Sequence, residues 1–318
     1  MRRRVVLFLC AVVIAAVVSL SACVSTDLSG QAYPSGYEAM LADAPAARAE
    51  GTQLRVMSFN MLVHIAGWGG TPVPPRAKMF LGMLDTYLPD IIGAQEVCSD
   101  WHRILADNLP AQYRALHAKI NAFSYNKTPL IYNADTLELL ESGYEPYSVG
   151  DNNGCRAVTW GVFRIRATGQ KIVVTSTHLD LIRPGKVEQE RTIMMQQTAE
   201  LLALTEQLEQ TYSCPVLACG DYNSMERADA LDSEGNPLGE YAAADVYAVL
   251  AQGMQDIKYT DGLAVHSYVE DAFEPTWDHI FVRGNVIPHA FYVLSHELYK
   301  QMSDHFPIVA DVSIGGSV

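Results

Sequence analysis

The stretch Cys214-Pro215-Val216-Leu217-Ala218-Cys219-Gly220-Asp221-Tyr222-Asn223 constrains this chain more than any other. Its short apolar run reads as a buried strand, and the strand ends in Gly-Asp-Tyr-Asn. A carboxylate and an amide are thus delivered two residues apart at the rim of a sheet. Gly, Asp and Asn are also ordinary turn residues, so the stretch alone fits a turn as well as a site. Five other strand ends finish in chemically able residues: Ser58-Phe59-Asn60, Gln95-Glu96, Thr177-His178-Leu179-Asp180, Trp277-Asp278-His279-Ile280 and Ser303-Asp304-His305-Phe306-Pro307. Six such endings in one chain are hard to explain as turns.

The N-terminus stands outside the fold. Arg2, Arg3 and Arg4 precede an uncharged apolar run from Val5 to Leu20, and Leu20-Ser21-Ala22-Cys23 follows. A basic head and a short apolar run read as a secretory signal over residues 1–22; a spanning helix needs ~20 apolar residues. The Leu-Ser-Ala-Cys ending resembles a bacterial lipobox. That resemblance implies that Cys23 is lipidated and that the protein sits outside the cytoplasm, held to a membrane of the cell envelope through its lipid alone. Residues 23–50, rich in Ser, Thr, Gly, Ala and Pro, are expected to form a flexible tether, and 51–318 the folded domain. That length suffices for one large α/β domain, expected to be a monomer.

Loss of residues 1–22 removes three arginines and no acid, taking the formal charge from −14 to −17. A protein that grips long nucleic acid by its phosphates carries a basic face, so the acidic balance disfavours a general nuclease. Cys98, Cys155, Cys214 and Cys219 remain in a chain bound for an oxidising compartment. Cys214 and Cys219 are ~16 Å apart on an extended strand, too far to bridge. If any pair bridges, Cys98 and Cys155 are the expected one, and no Cys or His spacing suggests structural zinc.

In chain order, strands are expected over Leu54–Phe59, Asp90–Ala94, Thr128–Asn133, Arg156–Arg166, Lys171–Thr177, Ile280–Val282, Val286–Leu294 and Pro307–Ile314. Helices are expected after Pro75 up to Pro89, over Trp101–Leu109, Glu188–Gln210 and Tyr241–Gln252. In the longest, Val187, Met194, Leu201 and Leu208 recur every seven residues with Leu204 beside them, one stripe facing the core. Residues 134–153 read as irregular, as do the Gly- and Pro-rich loop 66–75 and the stretch 253–275.

The ordered endings, with the run from Arg76 through Pro89-Asp90-Ile91-Ile92 to Gln95-Glu96, resemble the endonuclease/exonuclease/phosphatase superfamily over Gln53 to Val312. These are metal-dependent phosphoesterases that include DNase I-like nucleases, sphingomyelinases and inositol polyphosphate phosphatases. The resemblance implies an α+β fold, a DNase I-like four-layer α/β sandwich in which two mixed β-sheets pack face to face with helices outside. It implies Glu96, Asn60 and Asp304 as ligands of Mg²⁺, with Mn²⁺ as substitute, hard cations that take oxygen donors. His305 and Asp278 become an acid/base pair, His178 a phosphate-contacting donor, and Asp221 and Asn223 the groups that orient the attacking water. Whether Asp221 or the Asp278–His305 pair is the base stays open. Arg156, opening a strand, is expected to face the phosphate; Arg76 is expected to pack or pair, and Asp180 to support the His178 loop. Alternation points Trp277 and His279 away from Asp278. Several nucleases of the family carry an acid two residues after the first-motif Asn; here it is Leu62, which favours one metal over two.

The expected activity is therefore hydrolysis of a phosphodiester or monoester by metal-assisted attack of water. The alternatives are a secreted nuclease using Arg156, Arg183, Lys186 and Arg191, a sphingomyelinase-like lipid phosphodiesterase using the loop around Trp68, and a non-catalytic surface lipoprotein.

Overall fold

The protein is described here by a computed structural model, which covers residues 25–42, 47–64, 72–121, 124–150, 155–231, 235–267 and 276–315. Cys23, the loop around Trp68 and residues 268–275 lie outside the described residues. In chain order the elements are α1 (Tyr37–Ala42), β1 (Leu54–Asn60), α2 (Val73–Tyr87), β2 (Ile91–Gln95), α3 (Ser99–Asn108), β3 (Tyr113–Leu116) and β4 (Leu130–Asn133). There follow β5 (Leu137–Pro146), β6 (Ala157–Ile165), β7 (Lys171–His178), α4 (Val187–Tyr212), β8 (Val216–Asp221) and α5 (Ala244–Gly253). β9 (Gln255–Asp256), β10 (Ala264–Ser267), β11 (Asp278–Arg283), β12 (Val286–Val293) and β13 (Ile308–Ile314) complete the chain.

Two mixed sheets result, ordered β10-β12-β13-β1-β2-β4-β3 and β5-β6-β7-β8-β11-β9. Strands buried on both faces have no polar side to alternate, which is why β1, β2 and β8 read as continuous apolar runs. Between the sheets pack Val56, Ile91 and Leu130 from one and Phe163, Val174, Leu217 and Ile280 from the other. Outside the first sheet, Phe80, Met83 and Trp101 of α2 and α3 cover Phe59 and Ile92. Outside the second, Met194 and Leu201 of α4 and Val246 and Leu250 of α5 cover Ala218 and Phe281. This is the expected four-layer sandwich. Among the described residues no helix is long and apolar enough to cross a membrane.

The sheets approach closely under the site. A Cβ on Gly93 of β2 would lie 2.4 Å from the Cβ of Cys219 on β8, so only glycine fits there. The facing base of the sandwich is held by a buried ion network. Arg55 meets Asp311 through Nε and Nη2 at 2.7 and 2.8 Å, both side chains fully buried, and Asp90 accepts from the Arg55 amide at 2.7 Å.

Three expectations are corrected. The segment expected to be a flexible tether is packed on the domain where it is described. Tyr37 is buried and its hydroxyl donates to Met79 O at 2.9 Å, Tyr33 stacks on it at 5.3 Å, and Arg48 pairs with Asp90 at 2.7 Å. Aromatic and Met side chains spaced through a polar segment give it something to bury. The irregular stretch after Asn133 contains β5, an edge strand exposed along much of its length, with a bulge between Leu139 and Glu141. Its Gly143 lies under the Trp160 ring, and its acids blunt the open edge. Cys98 and Cys155 form no bridge; both are free, and Lys127 Nζ lies 2.8 Å from Cys155 Sγ.

Two outcomes check this packing. Gly93→Ala forces a methyl into Cys219 and is expected to cost about 1–3 kcal/mol in denaturant unfolding. His102 is buried on α3 with Nε2 donating to Asn126 O at 2.9 Å, and burial pulls its pKa down to about 4, the neighbouring His117 acting in the same direction. The unfolded chain, with an ordinary imidazole near about 6.5, then binds more protons than the native state between that pH and 4. Stability contributed here falls as pH drops through this window, by up to about 3 kcal/mol. His102→Gln should flatten that part of the pH–stability curve relative to wild type.

Candidate active site

Strand polarity gathers the chemical groups at one rim. β1 and β2 run parallel with Asn60 opposite Gln95, so Glu96 follows at the same edge. β7 and β8 run parallel with His178 opposite Asp221, and β11 runs antiparallel with Asp278 opposite Asp221. The turn before β13 folds onto this edge, Ser303 Oγ donating to Asn60 O at 2.7 Å.

Asp221 is the centre, 1% exposed. Its Oδ2 accepts from Asn60 Nδ2 at 2.9 Å and faces His178 Nε2 at 3.1 Å and His305 Nε2 at 3.8 Å. Burial alone would raise its carboxyl. The two imidazoles and the Asn60 amide outweigh that and hold it well below the usual carboxylate range. Its Oδ1 accepts the backbone N–H of Asn223 at 3.0 Å, and Asn223 Nδ2 donates to Leu179 O at 3.0 Å beside His178 Nε2 at 3.1 Å.

Asp278 and His305 form the expected pair, Oδ2 to Nδ1 at 2.6 Å. Burial raises the Asp278 carboxyl against the pull of His305. Burial works against charge on His305, but Asp278 and then Asp221 overcome it and raise the imidazole well above its ordinary value. The ring is therefore an imidazolium whose Nδ1 is committed to Asp278 and whose Nε2 faces the Asp221 side of the cleft. Asp278 Oδ1 is equally buried and has no hydrogen-bond partner among the described residues.

The expected metal ligands are brought together only in part. Glu96 is half-buried in a left-handed backbone conformation (φ 57°), its Oε2 accepting Val63 N–H at 2.8 Å and its Oε1 facing Asn60 Nδ2 at 3.3 Å. Asn60 presents its amide nitrogen to Glu96 and Asp221, while its Oδ1 accepts Leu62 N–H at 3.0 Å. Its carbonyl is thus not turned toward Glu96 as expected, because two carboxylates on one side and a backbone donor on the other fix the amide. Asp304 is exposed, with Oδ1 3.4 Å from Ser303 Oγ. Neither Glu96 nor Asp304 joins a tight trio of acids or imidazoles. Among the described residues the groups of three within 4.8 Å are Asp221–Asp278–His305 and Glu226–Asp256–His279. Glu96, with the Asp221 carboxylate across the shared Asn60 amide, nevertheless offers hard carboxylate oxygens, the donor type that fits Mg²⁺ or Mn²⁺.

Arg156 sits at the mouth with Nε 3.3 Å from Asp180 Oδ1, and its buried Nη1 has no hydrogen-bond partner. Asp180 supports the His178 loop as expected, its N–H and Oδ2 both held by Gln197 of α4. Arg76 is a structural pin, with Nη1 on the carbonyls of Met61, Leu62 and Met302 at 2.7, 2.9 and 3.2 Å. Trp277 packs against Met225 and Ala242, and His279 is buried behind the strand, both away from Asp278. Sequence reasoning missed the left-handed backbone at Leu62, Glu96 and Asn223. Such strain gathers at functional sites, and nothing in the residue types announces it.

The Asp278–His305 pair is expected to act as a unit. Asp278→Asn and His305→Ala should each lower kcat on a phosphodiester by about 10²–10⁴ with the thermal transition retained. The double variant should lose little more than the worse single one, which steady-state kinetics on all three will check.

A profile of the Endonuclease/Exonuclease/phosphatase family matches residues 57–305. Among solved structures, the endonuclease/exonuclease/phosphatase from Bacteroides vulgatus superposes with a TM-score of 0.63 at 20% identity, covering 82% of this chain and 99% of its own. The human Nocturnin catalytic domain with bound sulfate gives 0.59 at 18%, covering 82% and 94%. The mannosyl-6-phosphatase Bt3783 of Bacteroides thetaiotaomicron gives 0.56 at 19%, covering 82% and 100%. A search among curated protein sequences found no match. At these identities the neighbours speak for the fold, and the family match, reaching from β1 to His305, carries the assignment: the chain belongs to the endonuclease/exonuclease/phosphatase family of phosphoester hydrolases.

Proposed function

We propose that this protein is an extracytoplasmic, Mg²⁺-dependent phosphoesterase that hydrolyses a small phosphodiester or phosphomonoester. The observation that carries the reading is the buried Asp221 carboxylate, shared by Asn60 and two imidazoles beside the Asp278–His305 pair. Glu96, with Asp304 as a further oxygen donor, would hold the divalent cation, which when bound neutralises phosphoryl charge and favours departure of the ester oxygen.

The chain's own groups divide the remaining work. Asp221, fully ionised, aligns the attacking water by its lone pairs and takes up the water proton as the new P–O bond forms. His305, with Nδ1 held by Asp278 and Nε2 facing the Asp221 side of the cleft, serves as a donor to the phosphoryl group. His178 and Asn223 Nδ2 are further donors on the same side. The ester P–O bond breaks, the leaving oxygen takes a proton from solvent water, and Asp221 returns its proton to solvent to restore the carboxylate.

Charge pairing favours a small substrate over a nucleic acid polymer. Of the arginines a nuclease would use along this edge, Arg156 faces Asp180, Arg183 meets Asp180 and Glu190 at 3.7 and 3.1 Å, and Arg191 meets Glu188 and Asp245 at 3.6 and 3.4 Å. Each of these arginines is paired with an acid, which lowers the positive charge that the described part of this edge offers a phosphate backbone. Chain entry disfavours the lipid substrate. Asn108 Nδ2 at the C-terminal end of α3 holds Thr26 O at 2.8 Å, and Tyr113, just beyond, bonds Pro89 O at 2.9 Å ahead of β2. The first described residues thus lie at the base of the sandwich, and β1 alone puts ~20 Å between base and rim. A lipid on Cys23 would hold the site facing away from its own membrane.

The experiment is Mg²⁺-dependent turnover of residues 25–318 on bis(p-nitrophenyl) phosphate, a sugar phosphate, plasmid DNA, RNA and sphingomyelin vesicles, each with and without chelator. Chelator-sensitive hydrolysis of the small esters, with DNA, RNA and vesicles left intact, is expected. Preferred cleavage of a polymer or of vesicle lipid would overturn the substrate class, and silence on all five the enzyme reading.

A further inference from the structure

Behind the site, on the far face of β11, lies a second constellation that the proposed chemistry does not use. His279 is fully buried; its Nδ1 is 2.9 Å from Asp256 Oδ2 and its Nε2 3.0 Å from the carbonyl oxygen of Ser224. A carbonyl only accepts, so Nε2 carries a proton. Nδ1 facing a carboxylate completes a ring that donates from both nitrogens. Asp256 also accepts the Tyr247 hydroxyl at 3.2 Å and the Lys258 amide at 3.1 Å. Glu226 accepts Lys258 Nζ at 3.2 Å, Thr276 N–H at 3.3 Å and the Tyr259 hydroxyl.

Glu226, Asp256 and His279 have the spacing of a metal group, but the chain fills it already. Lys258, 2% exposed, supplies the cation to Glu226, and both ring nitrogens of His279 are engaged. What the network joins is more telling. Ser224 follows Asn223, whose left-handed backbone (φ 46°) aims its amide at the site. Thr276 N–H is held by Glu226, Thr276 Oγ1 donates to Asp278 O at 2.8 Å, and Tyr222 N–H donates to Trp277 O at 2.9 Å. The Tyr222–Glu226 turn and the entry to β11 are thereby clamped to each other, and these two segments carry Asn223 and Asp278.

We propose that His279 is a positioning residue: bridging Asp256 to the Ser224 carbonyl, it holds the turn that presents Asn223 and fixes that turn against Asp278. The proposal rests on the phosphoesterase reading for its kinetic arm and is independent of it in its exchange arm. In His279→Gln both N–H donors sit on one nitrogen and cannot span the two acceptors that the ring meets through separate nitrogens, so the turn loosens while the strands stay. The Asn223 amide, bonded to Asp221 Oδ1, and the Met225 amide, bonded to Ala242 O at 2.7 Å, should exchange with solvent at least about tenfold faster. Amides within β8 should keep their rates.

On bis(p-nitrophenyl) phosphate, kcat per folded molecule should fall at least about tenfold with KM within about twofold, the mark of lost alignment. Because the residue acts through Asn223, the same substitution in an Asn223→Ala background should cost less than about threefold. Should His279→Gln not fold, His279→Phe, which keeps a ring against Tyr222, Tyr247 and Phe281 and removes both donors, carries both arms with the same expectations. Unchanged turn exchange in the variant that folds overturns the proposal, as does an undiminished kinetic loss in the Asn223→Ala background. If wild-type protein hydrolyses nothing, the functional reading fails and the exchange arm alone decides this one.

Discussion

Everything at the rim depends on keeping one carboxylate ionised out of water. Asp221 is desolvated by the closure of two sheets over it, a cost of several kcal/mol for an uncompensated charge. The compensation comes from three directions: Asn60 from β1 on the opposite sheet, His178 from the neighbouring strand, and His305 from the turn before β13. The sandwich and the site are therefore one object. The close approach at Gly93 and Cys219 sets the spacing between sheets just below the rim. That spacing decides whether Asn60 reaches Asp221 at all. A site spread over loops would have no such dependence on its core.

The opposite end of the sandwich uses charge differently. Arg55 and Asp311 are buried and paired with each other, Asp90 accepts the Arg55 amide through Oδ2, and together they recruit Arg48 and the Ala49 amide from the N-terminal segment. Its charges are spent largely on one another, with Asp90 Oδ1 left without a hydrogen-bond partner among the described residues and Leu88, whose carbonyl holds Arg48, left-handed (φ 47°). At the rim, Asp278 Oδ1 and Arg156 Nη1 are likewise buried without a hydrogen-bond partner among the described residues. Left-handed residues flank the site at Leu62, Glu96 and Asn223.

Much of this was legible in the sequence, and for a physical reason. Central strands buried on both faces must be apolar throughout, so β1, β2 and β8 stand out, and the polar residues that end them stand out equally. Asn60, Glu96 and Asp221 were found that way; His178 at the end of β7, Asp278 at the start of β11 and His305 ahead of β13 stood out through their motifs, and the rim joins all six. What was not legible needed partners distant in sequence. β5 hides because an exposed edge strand has no apolar face to show. The docking of Tyr33 and Tyr37 needs the groove beside Gly82 of α2. The rotation of the Asn60 amide is set by Glu96 and Asp221, distant in sequence, together with the Leu62 N–H. His279 lies next to a motif residue, yet its role depends on Asp256 and Ser224, which no local pattern links to it.

The central claim is that Asp221, ionised between two imidazoles, aligns the attack on a phosphate ester. Its most direct test is the Mg²⁺-dependent rate of bis(p-nitrophenyl) phosphate hydrolysis by wild type and Asp221→Asn at matched folded fractions. Asn keeps the shape and removes the charge. The account predicts chelator-sensitive turnover in wild type and a loss of at least about 10³ in kcat for the variant, comparable to removing a principal catalytic group. Turnover by Asp221→Asn within a few-fold of wild type would contradict it.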